Sequence, residues 1–139
     1  MASNIKPAQA SGRPCVCGSS LVFSECCGPL LQGQQSAGSP LALMRARFSA
    51  FVLKNQDFIE STAKKEALVL QQKSTGLPSV NWEGLQVIEA KAVKRRDCYG
   101  YVEFIARGTT IGGQPVRMHE RSRFQKISGQ WYYISGKQK

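Results

Sequence analysis

A chain of 139 residues with 42% hydrophobic and 20% charged residues has the size and composition of one globular domain, which excludes wholesale disorder. Nineteen Lys and Arg against nine Asp and Glu leave a formal charge of +10, a balance that favours polyanionic partners such as RNA, the ribosome or an acidic protein surface. No run approaches the roughly 20 apolar residues of a membrane-spanning helix, and Met1 to Arg13 lack the apolar block of a signal peptide. The expected location is the cytoplasm, with no membrane partner.

Residues 1–14 are small and polar with scattered Pro and Gly, too little apolar surface to offset their ordering entropy, and read as a disordered tail. A cysteine cluster follows: Cys15-Val16-Cys17-Gly18-Ser19-Ser20, then Glu25-Cys26-Cys27-Gly28. Two close thiol pairs can supply four soft ligands to one tetrahedral metal at little loop-closure cost. In a reducing compartment that spacing favours a structural Zn2+ on Cys15, Cys17, Cys26 and Cys27 over a vicinal redox pair at Cys26-Cys27 or merely buried thiols. Gly18 and Gly28 allow a tight bend after each pair, and Ser20 to Ser24 can form one helical turn between them. Cys98, alone at the start of a strand, reads as a small core or edge residue. Gly28 to Gly38 reads as a linker, so the predicted units are 1–14, 15–38 and 39–139, the last able to fold alone.

Ser39-Pro40 opens a predicted helix, with Ser39 as N-cap and Pro40 at the first helical position. Leu41, Met44, Phe48, Phe51 and Val52 form its apolar stripe, and Arg45, Ser49 and Lys54 are expected to face away. A second helix is predicted from Asp57 to Gln72, ended by Gly76-Leu77-Pro78. Four antiparallel strands then follow at about Leu85 to Arg95, Cys98 to Thr109, Gln114 to Ile127 and Gln130 to Ser135. Helices first and a meander afterwards indicate an α+β domain whose curved sheet wraps the N-terminal helices.

In the third strand, alternation puts Val116, Met118, Glu120, Ser122 and Phe124 on one face and Arg117, His119, Arg121 and Arg123 on the other. Three apolar residues mark the first face as the inner one, so the carboxylate of Glu120 must find a partner. Candidates are Arg45, Arg47 or a tyrosine hydroxyl. The alternative is a ligand pocket in which Glu120 acts as general base or polar anchor, helped by Trp131, Tyr133 or Tyr101. The outer row is either a solvated strand paired with residues such as Glu103 or an anion-binding stripe extended by Lys94-Arg95-Arg96.

The pattern Cys-x-Cys-Gly-Ser with Cys-Cys-Gly resembles the SEC-C zinc motif found at the C-terminus of the SecA translocation motor. Further blocks resemble the YchJ family: Leu43 to Val52, Trp82-x-Gly84-Leu85, Val102-x-Phe104-x-Ala106-Arg107, His119 to Phe124 and Trp131-Tyr132-Tyr133-Ile134. The resemblance implies a SEC-C zinc knuckle joined to a nuclear-transport-factor-2-like (cystatin-like) cone, with Cys15, Cys17, Cys26 and Cys27 as zinc ligands. It also implies a docking role, with the export chaperone SecB and the ribosome as partners of SecA-type motifs. Two departures stand out: no second SEC-C motif follows Gly136, and Thr62-Ala63-Lys64-Lys65 occupies the place of a family His-Pro pair. The expected function is a zinc-binding docking or adaptor module rather than an enzyme, the alternative being a small-molecule-binding protein or enzyme that uses the cone and Glu120.

Overall fold

A computed structural model describes residues 13–65, 80–91 and 98–139. The cysteine segment starts with an antiparallel bridge between Pro14 and Val22, passes through a 3-10 turn at Phe23–Glu25, and enters a short helix α1, Cys27–Leu31. Helix α2, Pro40–Leu53, begins as predicted: the Ser39 hydroxyl accepts from the Ala42 N–H at 3.1 Å, and Pro40 takes the first turn. Helix α3, Gln56–Ser61, is capped by the Asn55 side chain, which accepts from the Phe58 N–H. The helix predicted to run on to Gln72 stops at Ser61, because the Tyr133 N–H donates to the Thr62 carbonyl and the Lys64 N–H to that of Tyr133, which draws Ala63 into a parallel bridge with Tyr133. Residues 66–72, the stop at Gly76-Leu77-Pro78, and the Lys94-Arg95-Arg96 extension lie outside the described residues.

Four strands complete the fold: β1 Val80–Lys91, β2 Tyr99–Thr110, β3 Pro115–Ile127 and β4 Gln130–Gln138. They pair antiparallel in the order β1-β2-β3-β4, the predicted meander. Register breaks leave Glu83 and Ile88 of β1 and Ile134 of β4 without a partner. Each such bulge bends its strand and adds twist, so the sheet curls around α2. Gly108 marks the tightest approach on β2, where a Cβ would stand 2.5 Å from the Asn81 carbonyl oxygen.

One buried cluster joins Leu43, Met44, Ala46 and Phe48 of α2 to Val102, Phe104, Ala106, Phe124 and Trp131 of the sheet. Cys15, Cys17, Phe23 and Cys27 belong to the same cluster. The cysteine segment is therefore packed on the cone, against the expectation of separable parts. Leu30, Leu31 and Ala37 of the predicted linker also pack against it.

This arrangement corrects the reading of α2. Ser49, expected to face solvent, is fully buried, whereas Phe51 of the predicted stripe is 37% exposed. The sheet covers one side of the helix and the cysteine segment covers the other. A helix covered on two sides has no single apolar stripe, and its small residues Ala46, Ser49 and Ala50 mark the close approaches.

Candidate functional site

The four cysteines before α2 converge on one point. Their Sγ atoms all lie within 4.8 Å of one another, with Cys17 to Cys26 at 3.5 Å and Cys26 to Cys27 at 3.9 Å. A tetrahedral thiolate site with metal–sulfur bonds of about 2.3 Å requires sulfurs about 3.8 Å apart. The donor set therefore fits a metal ion in both chemistry and spacing.

The local sequence builds this geometry. The Cys15 N–H donates to the Leu21 carbonyl at 2.7 Å and the Phe23 N–H to that of Arg13 at 3.0 Å, which folds the first pair back towards the second. Gly18 takes a left-handed φ of +82°, and a Cβ there would stand 3.2 Å from the Leu85 carbonyl oxygen of β1. Gly28 serves a different purpose, since a Cβ there would meet the Phe23 carbonyl oxygen at 2.8 Å.

Four sulfurs this close cannot ionise independently. Hydrogen bonding from Cys15, and then from Cys27, holds the Cys17 thiol far below the ordinary thiol range. Burial, the largest cause, pushes Cys26 up to about 11. The same sulfur contacts, Cys15 first, push Cys27 upward.

Three supporting groups escaped the sequence reading. The Arg45 Nη1 donates to the Cys17 carbonyl at 2.8 Å and lies 3.9 Å from the Cys17 Sγ. Ser49 Oγ is 3.7 Å from the Cys15 Sγ, and Ser19 Oγ is 3.1 Å from the Cys26 Sγ. Arg45 and Ser49 stand four apart on α2, so a shared helix face was legible in the sequence; that the cysteines would cover that face was not. A cation beside the cluster offsets part of the negative charge that four thiolates place on a divalent metal.

Glu120 faces inward, as predicted, beside a cavity of about 520 Å³ also lined by Arg47, Tyr133 and Ser122. Its Oε2 accepts from Ser122 Oγ at 2.8 Å. Burial and then Glu120 raise the Tyr133 hydroxyl to about 12. Arg45 turns to the cysteines instead. Tyr101 lies on the outer face with Arg121 stacked 3.7 Å above its ring, and Trp131 is buried in the core.

The predicted outer row occupies one face, but its members differ. His119 Nε2 lies 2.7 Å from Glu103 Oε2, and Arg121 reaches Glu89 and Glu103 at 3.6 and 4.0 Å. Arg117 and Arg123 are exposed and make no ion pair among the described residues. Hydrogen bonding to His119 holds the Glu103 carboxyl below the ordinary glutamate range. A depressed carboxyl contributes stability above its unfolded pKa of about 4.3, and that contribution is lost as pH falls through the folded value. Glu103→Gln is therefore expected to flatten the fall of the unfolding midpoint below about pH 4.3, read by thermal melts across an acid series. An unchanged acid limb would remove Glu103 from the acid response.

A family model described as the YchJ middle NTF2-like domain matches residues 39–136. A UPF0225 protein of Yersinia pestis (strain Pestoides F) is 42% identical over 126 residues, covering 88% of this chain and 81% of that protein. The UPF0225 protein of Yersinia pseudotuberculosis strain YPIII matches to the same extent. The solution structure of a SEC-C motif containing protein from Rhodopseudomonas palustris superposes with a TM-score of 0.77 at 39% identity, covering 88% of this chain and 96% of that one. A crystal structure of a SEC-C motif containing protein from Psychrobacter arcticus gives 0.63 at 27% identity, over 94% and 77% of the two chains. With its cysteine cluster seated ahead of an NTF2-like α+β domain and these matches along most of its length, the chain belongs to the YchJ family.

Proposed function

We propose that Cys15, Cys17, Cys26 and Cys27 bind one structural Zn2+, and that the folded chain is a cytoplasmic docking module whose outer sheet face meets a polyanion such as RNA on a ribosomal surface. The observation that carries the metal reading is the convergence of four Sγ atoms within 4.8 Å. Thiolate ligands at every position select a soft metal and leave no vertex for an activated water, so the ion is a staple rather than a catalyst. A reducing compartment keeps those thiols available. That no helix among the described residues is long and apolar enough to cross a membrane agrees with this reading.

Docking rests on charge. By register, Lys91, Arg107, Arg117, Arg121, Arg123 and Lys137 share the outer face with Glu89 and Glu103, and Glu83, at a bulge of β1, reaches that face to accept from Thr109. Glu89 and Glu103 pair with Arg121 and His119, leaving Arg117 and Arg123 for a partner's phosphates. The double variant Arg117→Ser with Arg123→Ser is expected to weaken RNA binding and reduce its salt slope by about two, since each phosphate contact contributes about 0.9. Its unfolding free energy should move by no more than about 0.5 kcal/mol per site. Titrations with RNA at several salt concentrations measure the slope, and an unaltered slope would leave the face as solvated surface only.

A further inference from the structure

The inner face of the same sheet carries different chemistry. The cavity of about 520 Å³ between the sheet and helices α2 and α3 falls in the size range of small-molecule sites. Phe48, Phe51, Trp82, Phe104 and Met118 give it apolar walls. Its polar lining comes mainly from Arg47 of α2 with Glu120, Ser122 and Tyr133 of the sheet.

The two charges there are unequally satisfied. Glu120 accepts from Ser122 and interacts with the Tyr133 hydroxyl; both groups crowd the position a Cβ on Gly136 would take. Arg47 is only 2% exposed. Its Nη1 donates to the Ile59 carbonyl at 2.8 Å and to Thr62 Oγ1 at 2.7 Å, which uses both hydrogens of that nitrogen. Among the described residues, Nε and Nη2 have no acceptor and no carboxylate comes within 4.0 Å of the guanidinium. The Tyr133 ring lies 4.6 Å from its Cζ and offers a π face instead. Burial lowers the Arg47 pKa to about 10, so the group stays charged at neutral pH. A buried cation lacking a close counter-charge is costly unless something completes it.

We propose that the cone cavity binds an apolar monoanion, a small molecule with a hydrocarbon body and a carboxylate head. The head takes the parallel Nε–H and Nη2–H donors of Arg47, the edge of the guanidinium that matches a carboxylate in bidentate fashion. The body lies against Phe48, Trp82 and Met118. Glu120 offsets the Arg47 charge from a distance when the cavity is empty and opposes the incoming anion when it fills. This site is independent of the docking face, which lies on the opposite side of the sheet.

The full-length, metal-loaded protein is titrated with two fluorescent probes of similar shape, the anion anilinonaphthalene sulfonate and the uncharged phenylnaphthylamine. The wild type is expected to prefer the anion. Arg47→Met should weaken the anion on the order of tenfold or more while leaving the amine within about twofold, as a charged hydrogen bond is worth roughly that factor. Glu120→Gln should tighten the anion several-fold, and Met118→Trp, which fills the cavity, should abolish both. If Arg47→Met does not fold, the other two variants decide. Competition by decanoate against naphthoate then tells an aliphatic from an aromatic body. Anion binding that survives Met118→Trp, or that Glu120→Gln leaves unchanged, would overturn the proposal by placing the probe elsewhere on the basic surface.

Discussion

Protein purified without added metal is expected to carry about one zinc per chain, and removing it should destabilise the whole domain by more than about 4 kcal/mol. The size of the effect follows from where the cluster sits. Cys15, Cys17 and Cys27 lie in the same buried cluster as Leu43, Phe104 and Phe124, so loss of the metal opens the covering of α2 as well as the N-terminal turn. Chelation should therefore lower a single unfolding transition that Trp82 and Trp131 report, both packed in or against that cluster. Cys17→Ser should have the same effect, whereas Arg45→Ala should keep the fold and weaken metal affinity about tenfold, the usual cost of a lost supporting contact. Metal analysis with thiol titration is the check, and four freely titratable thiols in a fully stable protein would refute the site.

A truncated chain beginning at Ser39 is expected to lose cooperative unfolding, or to melt far below the intact protein. Without the segment before it, the buried side chain of Ser49 and part of Leu43 and Met44 meet water, and Arg45 loses the Cys17 carbonyl it binds at 2.8 Å. Exposing several core side chains at about 1.5–3 kcal/mol each removes most of the stability of a domain this size. Thermal and denaturant unfolding of the truncated chain decide it. A sharp transition near that of the intact protein would restore the two separable parts expected from composition.

Much of the architecture was legible because its signals are local. Ser39-Pro40 announced the start of α2, and alternation along Val116 to Phe124 assigned the two faces of β3 before any contact was known. Strand ends moved by a few residues, from Leu85 to Val80 for β1 and from Ser135 to Gln138 for β4. Bulges at Glu83, Ile88 and Ile134 break the period of two on which such boundaries are read.

The sequence by itself determined the two close cysteine pairs, the helix-then-meander order, the inward Glu120 and the outward row of Arg117, His119, Arg121 and Arg123, because each depends on spacing within one segment. Only the tertiary structure decided what those segments meet. Ser49 is buried because the cysteine segment folds across a helix face that the pattern assigned to solvent. Arg121 and His119 are partnered because β1 and β2 bring Glu89 and Glu103 into register beside them. Arg47, named from the sequence only as a candidate partner for Glu120, becomes a buried cation at the wall of a cavity because the curved sheet closes over α2. Those outcomes depend on contacts between residues distant in the chain, which periodicity does not encode.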